Sequence, residues 1–145
     1  MSKLTEIAKT YVGTPHINGG NVKGAGLDCC TLITHIYKEM GWADVTMQFG
    51  YSGDWYCQKE HREYVLAYLL KYCDKVETLA EGDLISYRWG RSDFAHIAIY
   101  LGDNRIIHCD ADDGVEITDV SDPKLVDAKG NCRATGYWRL KHGHI

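Results

Sequence analysis

The chain predicts an α+β fold in which N-terminal helices pack on an antiparallel sheet, or meander, of about five strands. Three observations predict it. Apolar residues between Leu4 and Met40 recur at three and four positions, the period of a helix buried on one face. From Gly82 onward the pattern becomes short runs rich in Ile, Val, Tyr and Trp, broken by Gly, Asp and Asn. Helices first and strands afterwards is the α+β order, distinct from the alternation that builds a parallel sheet.

Ser2 is a plausible cap for a first helix with an apolar face of Leu4, Ile7, Ala8, Tyr11 and Val12, and Gly13-Thr14-Pro15 ends it. A Gly-rich stretch, Gly19, Gly20, Gly24 and Gly26, leads to Asp28, a good N-cap, ahead of Cys29, Leu32, Ile33, Ile36, Tyr37 and Met40. This second helix should stop at Gly41, where a left-handed residue is wanted, and it places Cys29 at the first helical position. Residues 42–56 show no period and read as a loop. A third helix is expected from about Gln58 to Cys73, with Tyr64, Val65, Tyr68, Leu69 and Tyr72 on one face. The expected strands are Gly82–Trp89, Ala95–Leu101, Arg105–Cys109, Gly114–Thr118 and Thr135–Leu140. Gly102-Asp103-Asn104 is a hairpin signal that pairs its flanking strands antiparallel.

The 145 residues, 45% of them hydrophobic and only two of them proline, suit one globular domain over 1–145. A formal charge of -4 with both signs scattered argues against nucleic acid as a partner. The longest apolar run, Tyr64 to Leu70, is far short of the roughly 20 residues that span a bilayer, so no membrane helix is expected. Met1-Ser2-Lys3-Leu4-Thr5-Glu6 carries charge where a secretory signal is apolar, and a chain that is cytoplasmic when made is the expectation. With no secretory signal expected, the cysteines 29, 30, 57, 73, 109 and 132 read as reduced thiols, and the lack of a Cys-x-x-Cys pair and of zinc-finger histidine spacing leaves no metal and no cofactor expected. Asp110, Asp112 and Asp113 lack the spacing of a calcium loop and read as a solvated turn. His35, His61, His142 and His144 read as solvated surface. Tyr51, Trp55 and Tyr56 fit a binding groove or a core equally well.

Cys29 carries the candidate chemistry. A thiol in the first turn of a helix faces unpaired N–H groups and the positive end of the helix dipole, which favour the thiolate. The same amides could hold the oxyanion formed when that thiolate attacks a carbonyl. Such a nucleophile needs an imidazole base, and the base needs a third group that orients it. His96 shares a strand face with Ala98 and Tyr100. A hairpin centred near Asp103 pairs positions whose numbers sum to about 206, which sets residue 96 opposite residue 110 and brings His108 diagonally within reach of His96.

The string Gly13-Thr14-Pro15, a Gly-rich loop and Asp28-Cys29-Cys30-Thr31-Leu32-Ile33 resembles the start of the NlpC family of cell-wall cysteine peptidases, within the papain-like superfamily. Glu81-Gly82-Asp83-Leu84-Ile85, Ala95-His96-Ile97-Ala98-Ile99-Tyr100-Leu101-Gly102 and Ile106-Ile107-His108 resemble that family's later blocks, in the same order. The resemblance covers about half of the chain. It implies a papain-like fold with Cys29 as nucleophile, His96 as general base and acid, and His108 as the orienting residue. It also implies His16, Asp28 and Cys30 at the substrate site. The implied substrate is an amide bond in a bacterial peptidoglycan stem peptide, typically D-γ-glutamyl to a diamino acid. The Val22-Lys23-Gly24 loop, the missing export signal and the lack of a wall-binding repeat are closest to the phage and prophage tail-associated branch. That branch implies other tail proteins as partners and action at the wall from a tail or after lysis.

Four departures stand out. Thr31 replaces the family's glycine, Cys30 a serine or alanine, and His16 a tyrosine. The stretch from about residue 42 to 80 finds no match and reads as a variable helical insert. Thr31 and His16 leave open a second reading, a catalytically impaired structural component of a tail assembly. Acyl transfer by the same thiol is a third.

Overall fold

The computed structural model describes residues 2–42, 65–66, 69–90 and 92–141. Helix α1 (Lys3–Lys9) begins where Ser2 accepts a hydrogen bond from the Thr5 amide, and it buries Leu4 and Ala8. Val12, expected on that face, lies beyond the helix end and is exposed, whereas Tyr11 is buried and bonds Glu39 through its hydroxyl. Strands β1 (Asn21–Val22) and β2 (Gly26–Leu27) form a small hairpin in the Gly-rich stretch. Helix α2 (Cys29–Met40) starts at Asp28 and stops at Gly41, whose φ of 73° is the left-handed stop that glycine adopts at least cost. Its buried face is Leu32, Ile33, Ile36 and Tyr37.

The main sheet has six antiparallel strands, one more than the sequence pattern predicts. They are β3 (Cys73–Val76), β4 (Leu84–Trp89), β5 (Ser92–Gly102), β6 (Arg105–Asp110), β7 (Gly114–Asp119) and β8 (Ala134–Leu140), in the spatial order β3-β8-β4-β5-β6-β7. The additional strand is β3. Its first residue, Cys73, falls where the helical period was expected to end, and residues 65–66 and 69–72 just before it are helical. β3 therefore lies inside the interval expected to be an insert, yet it pairs with β8 as a sheet edge. The remaining residues of the 42–56 loop, including Tyr51, Trp55 and Tyr56, lie outside the described residues, as do Cys57, His61, His142 and His144.

The turn at Gly102-Asp103-Asn104 sets the register of β5 against β6. Asp103 and Asn104 take positive φ of 52° and 61°, which short polar side chains tolerate. Ile99 pairs with Ile107 and Tyr100 with Ile106, the expected register. α2 packs on β5 and β6, and its apolar face meets Ile97, Ile99, Ile107, Val115 and Trp138 in the larger core. The opposite sheet face carries a smaller cluster of Ile85, Tyr87, Ala98, Ile106 and Leu125. Leu125 comes from a 3-10 turn (Pro123–Leu125) between β7 and β8.

The segment after α1 is sewn to β7. Gly13 N–H donates to Val115 O at 3.0 Å, and Val115 N–H donates to Thr14 O at 2.9 Å. Gly114 sits at φ +74°, and a Cβ there would meet Thr14 O at 2.4 Å. Glycine is required at this crossing. It fixes His16 and the loop beyond it against the end of the sheet.

Candidate active site

The start of α2 is held from several directions. Asp28 is fully buried, and its Oδ1 accepts from the amides of Cys30 at 3.0 Å and Thr31 at 2.9 Å. Its Oδ2 accepts from Gly19 N–H at 3.0 Å. Thr31 returns the bond, its hydroxyl accepting from Asp28 N–H at 2.9 Å and donating to Gly20 O at 2.7 Å. This reciprocal cap satisfies helix-end donors and ties the Gly-rich loop to the helix. Thr31 thus gives the helix a third-position capping group where glycine could supply none.

Two first-turn amides expected to bind an oxyanion are therefore occupied by Asp28. The amide left open is that of Cys29 itself, which has no acceptor among the described residues. Cys29 is only 3% exposed, yet it lines a cavity of about 220 Å³ together with His16, Asn18, Trp89, His96 and Asp110. The cavity lies where the start of α2 meets the ends of β4 and β6 and the start of β5.

His96 is packed between aromatic rings. Tyr87 lies 5.7 Å from its centroid and Trp89 5.9 Å, and the guanidinium of Arg133 covers Trp89 at 4.3 Å. Burial first, and the neighbouring His108 second, hold the His96 imidazole below its ordinary pKa, with Asp110 opposing the shift. A ring biased to its neutral form keeps a ring-nitrogen lone pair unprotonated. His96 Nε2 lies 2.9 Å from His108 Nδ1. His108 is 1% exposed, and its Nε2 lies 2.8 Å from a carboxylate oxygen of Glu116. The ammonium of Lys124 in the 3-10 turn lies 3.2 and 3.1 Å from the two Glu116 oxygens.

The expected trio of Cys29, His96 and His108 is thus brought to one end of the sheet. Of the three positions expected to touch substrate, only His16 lines the cavity. Asp28 and Cys30 take structural places instead. The Asp28 carboxylate is engaged in capping, and Cys30 is fully buried with its sulfur 3.8 Å from that of Cys29. Cys109 also lines the cavity, but burial pushes its thiol strongly up and its S–H donates to Leu27 O at 3.2 Å, so it rests as a thiol.

Sequence reasoning missed Trp89, Glu116 and Lys124. A signal existed for Glu116: the same hairpin arithmetic, applied to the turn at Ala111-Asp112-Asp113, pairs positions whose numbers sum to 224 and sets Glu116 across from His108. That acidic turn is built on Asp110, which accepts from the amides of Asp112 at 3.0 Å and Asp113 at 2.9 Å. Carboxylate oxygens of Asp110, Asp113 and Glu116 come within 4.8 Å of one another, and the Lys124 ammonium pairs with all three. His35, read as surface, bonds Asn21 Oδ1 at 2.9 Å and so anchors β1 to α2.

The start of a helix thus brings a thiol, and the sheet an imidazole with a second imidazole behind it, to one cavity. Residues 13–129 match the NlpC/P60 family, and the chain belongs to that family. It is 28% identical over 133 residues to a Bacillus subtilis (strain 168) protein named "Probable peptidoglycan endopeptidase LytE", covering 89% of this chain and 34% of that protein. The chain thus spans about a third of that relative's length. An NlpC/P60 family protein from Bacillus cereus superposes with a TM-score of 0.65 at 25% identity, over 94% of this chain and 39% of the other. The NlpC/p60 domain of the peptidoglycan hydrolase SagA shares the fold, with a TM-score of 0.62 at 19% identity over 94% of this chain and 96% of that domain.

Proposed function

We propose that the chain is a cysteine peptidase that hydrolyses an amide bond in the stem peptide of bacterial peptidoglycan. The observation that carries the reading is that Cys29 and His96 line one cavity, with His108 bonded behind His96. The family match and the relatives named as peptidoglycan hydrolases support the substrate class.

In this reading Cys29 gives its proton to His96, and the thiolate attacks the amide carbonyl carbon. The Cys29 amide donates to the resulting oxyanion. The C–N bond breaks as His96 returns the proton to the leaving amine, which leaves a thioester on Cys29. Water, deprotonated by His96, attacks the thioester, and the carboxylic acid and the free thiol are released. His16 is the cavity residue assigned to substrate contact.

The finer proposal is that the bond joins D-γ-glutamate to a diamino acid, and that the protein works in a phage or prophage tail module. The first rests on the motif resemblance over Asp28–Ile33 and Ala95–Gly102, the second on the Val22-Lys23-Gly24 loop. Purified sacculi of differing stem chemistry, incubated with the protein and resolved by mass spectrometry, test both reaction and bond. Fragments ending in D-γ-glutamate are expected, and Cys29→Ala should release none. Release that persists in Cys29→Ala would overturn the reading.

A further inference from the structure

We propose that Glu116, clamped by Lys124, is a positioning residue that selects the tautomers of both histidines and thereby makes His96 Nδ1 the base. The inference rests on the thiol-hydrolase reading only in naming Cys29 as the proton's source.

The argument follows from which groups can donate. A carboxylate has lone pairs and no proton to give. Glu116 Oε2 lies 2.8 Å from His108 Nε2, so Nε2 must be the nitrogen that carries hydrogen. In neutral His108 the Nδ1 is then an acceptor, and its partner at 2.9 Å, His96 Nε2, must donate. His96 is left with one free lone pair, on Nδ1, as the site that can take a proton. Reverse the end of the chain and every bond reverses. If His108 Nε2 had to accept, His108 Nδ1 would donate to His96 Nε2, and a neutral His96 would carry its hydrogen on Nδ1, with no lone pair left for a thiol proton.

Glu116 is well placed to enforce the choice. It sits directly opposite His108 in the β6–β7 ladder, so the backbone register itself presents the carboxylate. Lys124 holds both carboxylate oxygens, at 3.2 and 3.1 Å, and arrives from a 3-10 turn whose first amides are capped by Asp122, itself bonded by Thr118 at 2.5 Å. The charged and titratable groups around the histidine pair are His16 before β1, Asp110 on β6, Glu116 on β7, and Asp122 and Lys124 at the turn. Among them, Glu116 is the one bonded to His108. The carboxylate also faces the positive charge that His96 acquires when it takes the proton, through a ring that can be polarised between them.

The test is a tautomer measurement on the whole protein. Long-range proton–nitrogen spectra of uniformly nitrogen-15-labelled protein at neutral pH should show both His96 and His108 carrying hydrogen on Nε2. In Glu116→Gln, an isosteric change, Lys124 claims the amide oxygen and turns the NH₂ toward His108 Nε2. Both rings should then shift to the Nδ1–H form, and alkylation of Cys29 at pH 7 should slow by at least about tenfold. Lys124→Met keeps the carboxylate and should keep the wild-type tautomers. Wild-type His108 with hydrogen on Nδ1, or unchanged tautomers and alkylation in Glu116→Gln, would overturn the inference. Failure of the parent reading looks different: tautomers respond as described, while sacculi release no fragments even with the wild type.

Discussion

His96 and His108 lie on neighbouring antiparallel strands with Nε2 of one 2.9 Å from Nδ1 of the other, and their rings meet edge to face at 5.1 Å between centroids. The contact orients His96 on the cavity that Cys29 also lines.

Asp28 should matter as a cap before it matters as a charge. Its carboxylate accepts three amide hydrogen bonds, from Gly19, Cys30 and Thr31. Asp28→Ala should cost about 1–2 kcal/mol of stability, the range for losing a capping group, and lower activity by loosening the turn that bears Cys29. Asp28→Asn retains an acceptor for the helix and should keep most of both. Urea melts of the two variants check this, and equal losses would contradict it.

Thr31→Gly, the residue that the motif resemblance leads one to expect here, should harm the protein. It removes the bond to Gly20 O at 2.7 Å and the acceptor of Asp28 N–H at 2.9 Å, and adds a flexible residue to the first turn. The expected cost is about 1–2 kcal/mol. Thr31→Ser keeps the hydroxyl and should stay near the wild type in a thermal melt.

Stability should fall with acidity in two windows. His96 is held below its ordinary pKa by burial and then by His108, so the folded state resists a proton that the unfolded chain binds. The unfolded state binds more protons below about pH 6.5, and stability drops as pH falls from there toward the folded value. Carboxylates held low, Asp122 by the Thr118 hydroxyl and Asp127 by the Asn131 amide, stabilise the fold above their unfolded pKa of about 4 and lose that contribution below it. His96→Gln should flatten the first window and leave the second. Denaturant titrations from pH 8 to 3 read both, and an unchanged slope above about pH 4 in His96→Gln would contradict the assignment.

Much of this architecture is legible in the sequence because it is local. Asp28 and Gly41 bracket an apolar period, and Gly102-Asp103-Asn104 sets a register by turn chemistry alone, which brings His108 to His96. What escapes is nonlocal. Cys73–Val76 is too short to show a period, and it is a strand because β8, at the other end of the chain, offers an edge. Lys124 reaches Glu116 only through a turn whose path no pattern predicts. Asp28 and Cys30 flank the nucleophile in sequence, but the helix turns the one into a cap and the other into the core.

The most direct test is a competition among thiols. Cys30 is fully buried, burial pushes the Cys73 thiol up to about 12 and raises that of Cys109 as well, and Cys132 is exposed and serves as the accessible reference. Limiting iodoacetamide at neutral pH, followed by peptide mass spectrometry, should label Cys29 ahead of Cys132 in the wild type and lose that preference in His96→Gln. Cys29 labelled no faster than Cys132, or labelled equally fast without the imidazole, would contradict a sulfur activated by His96.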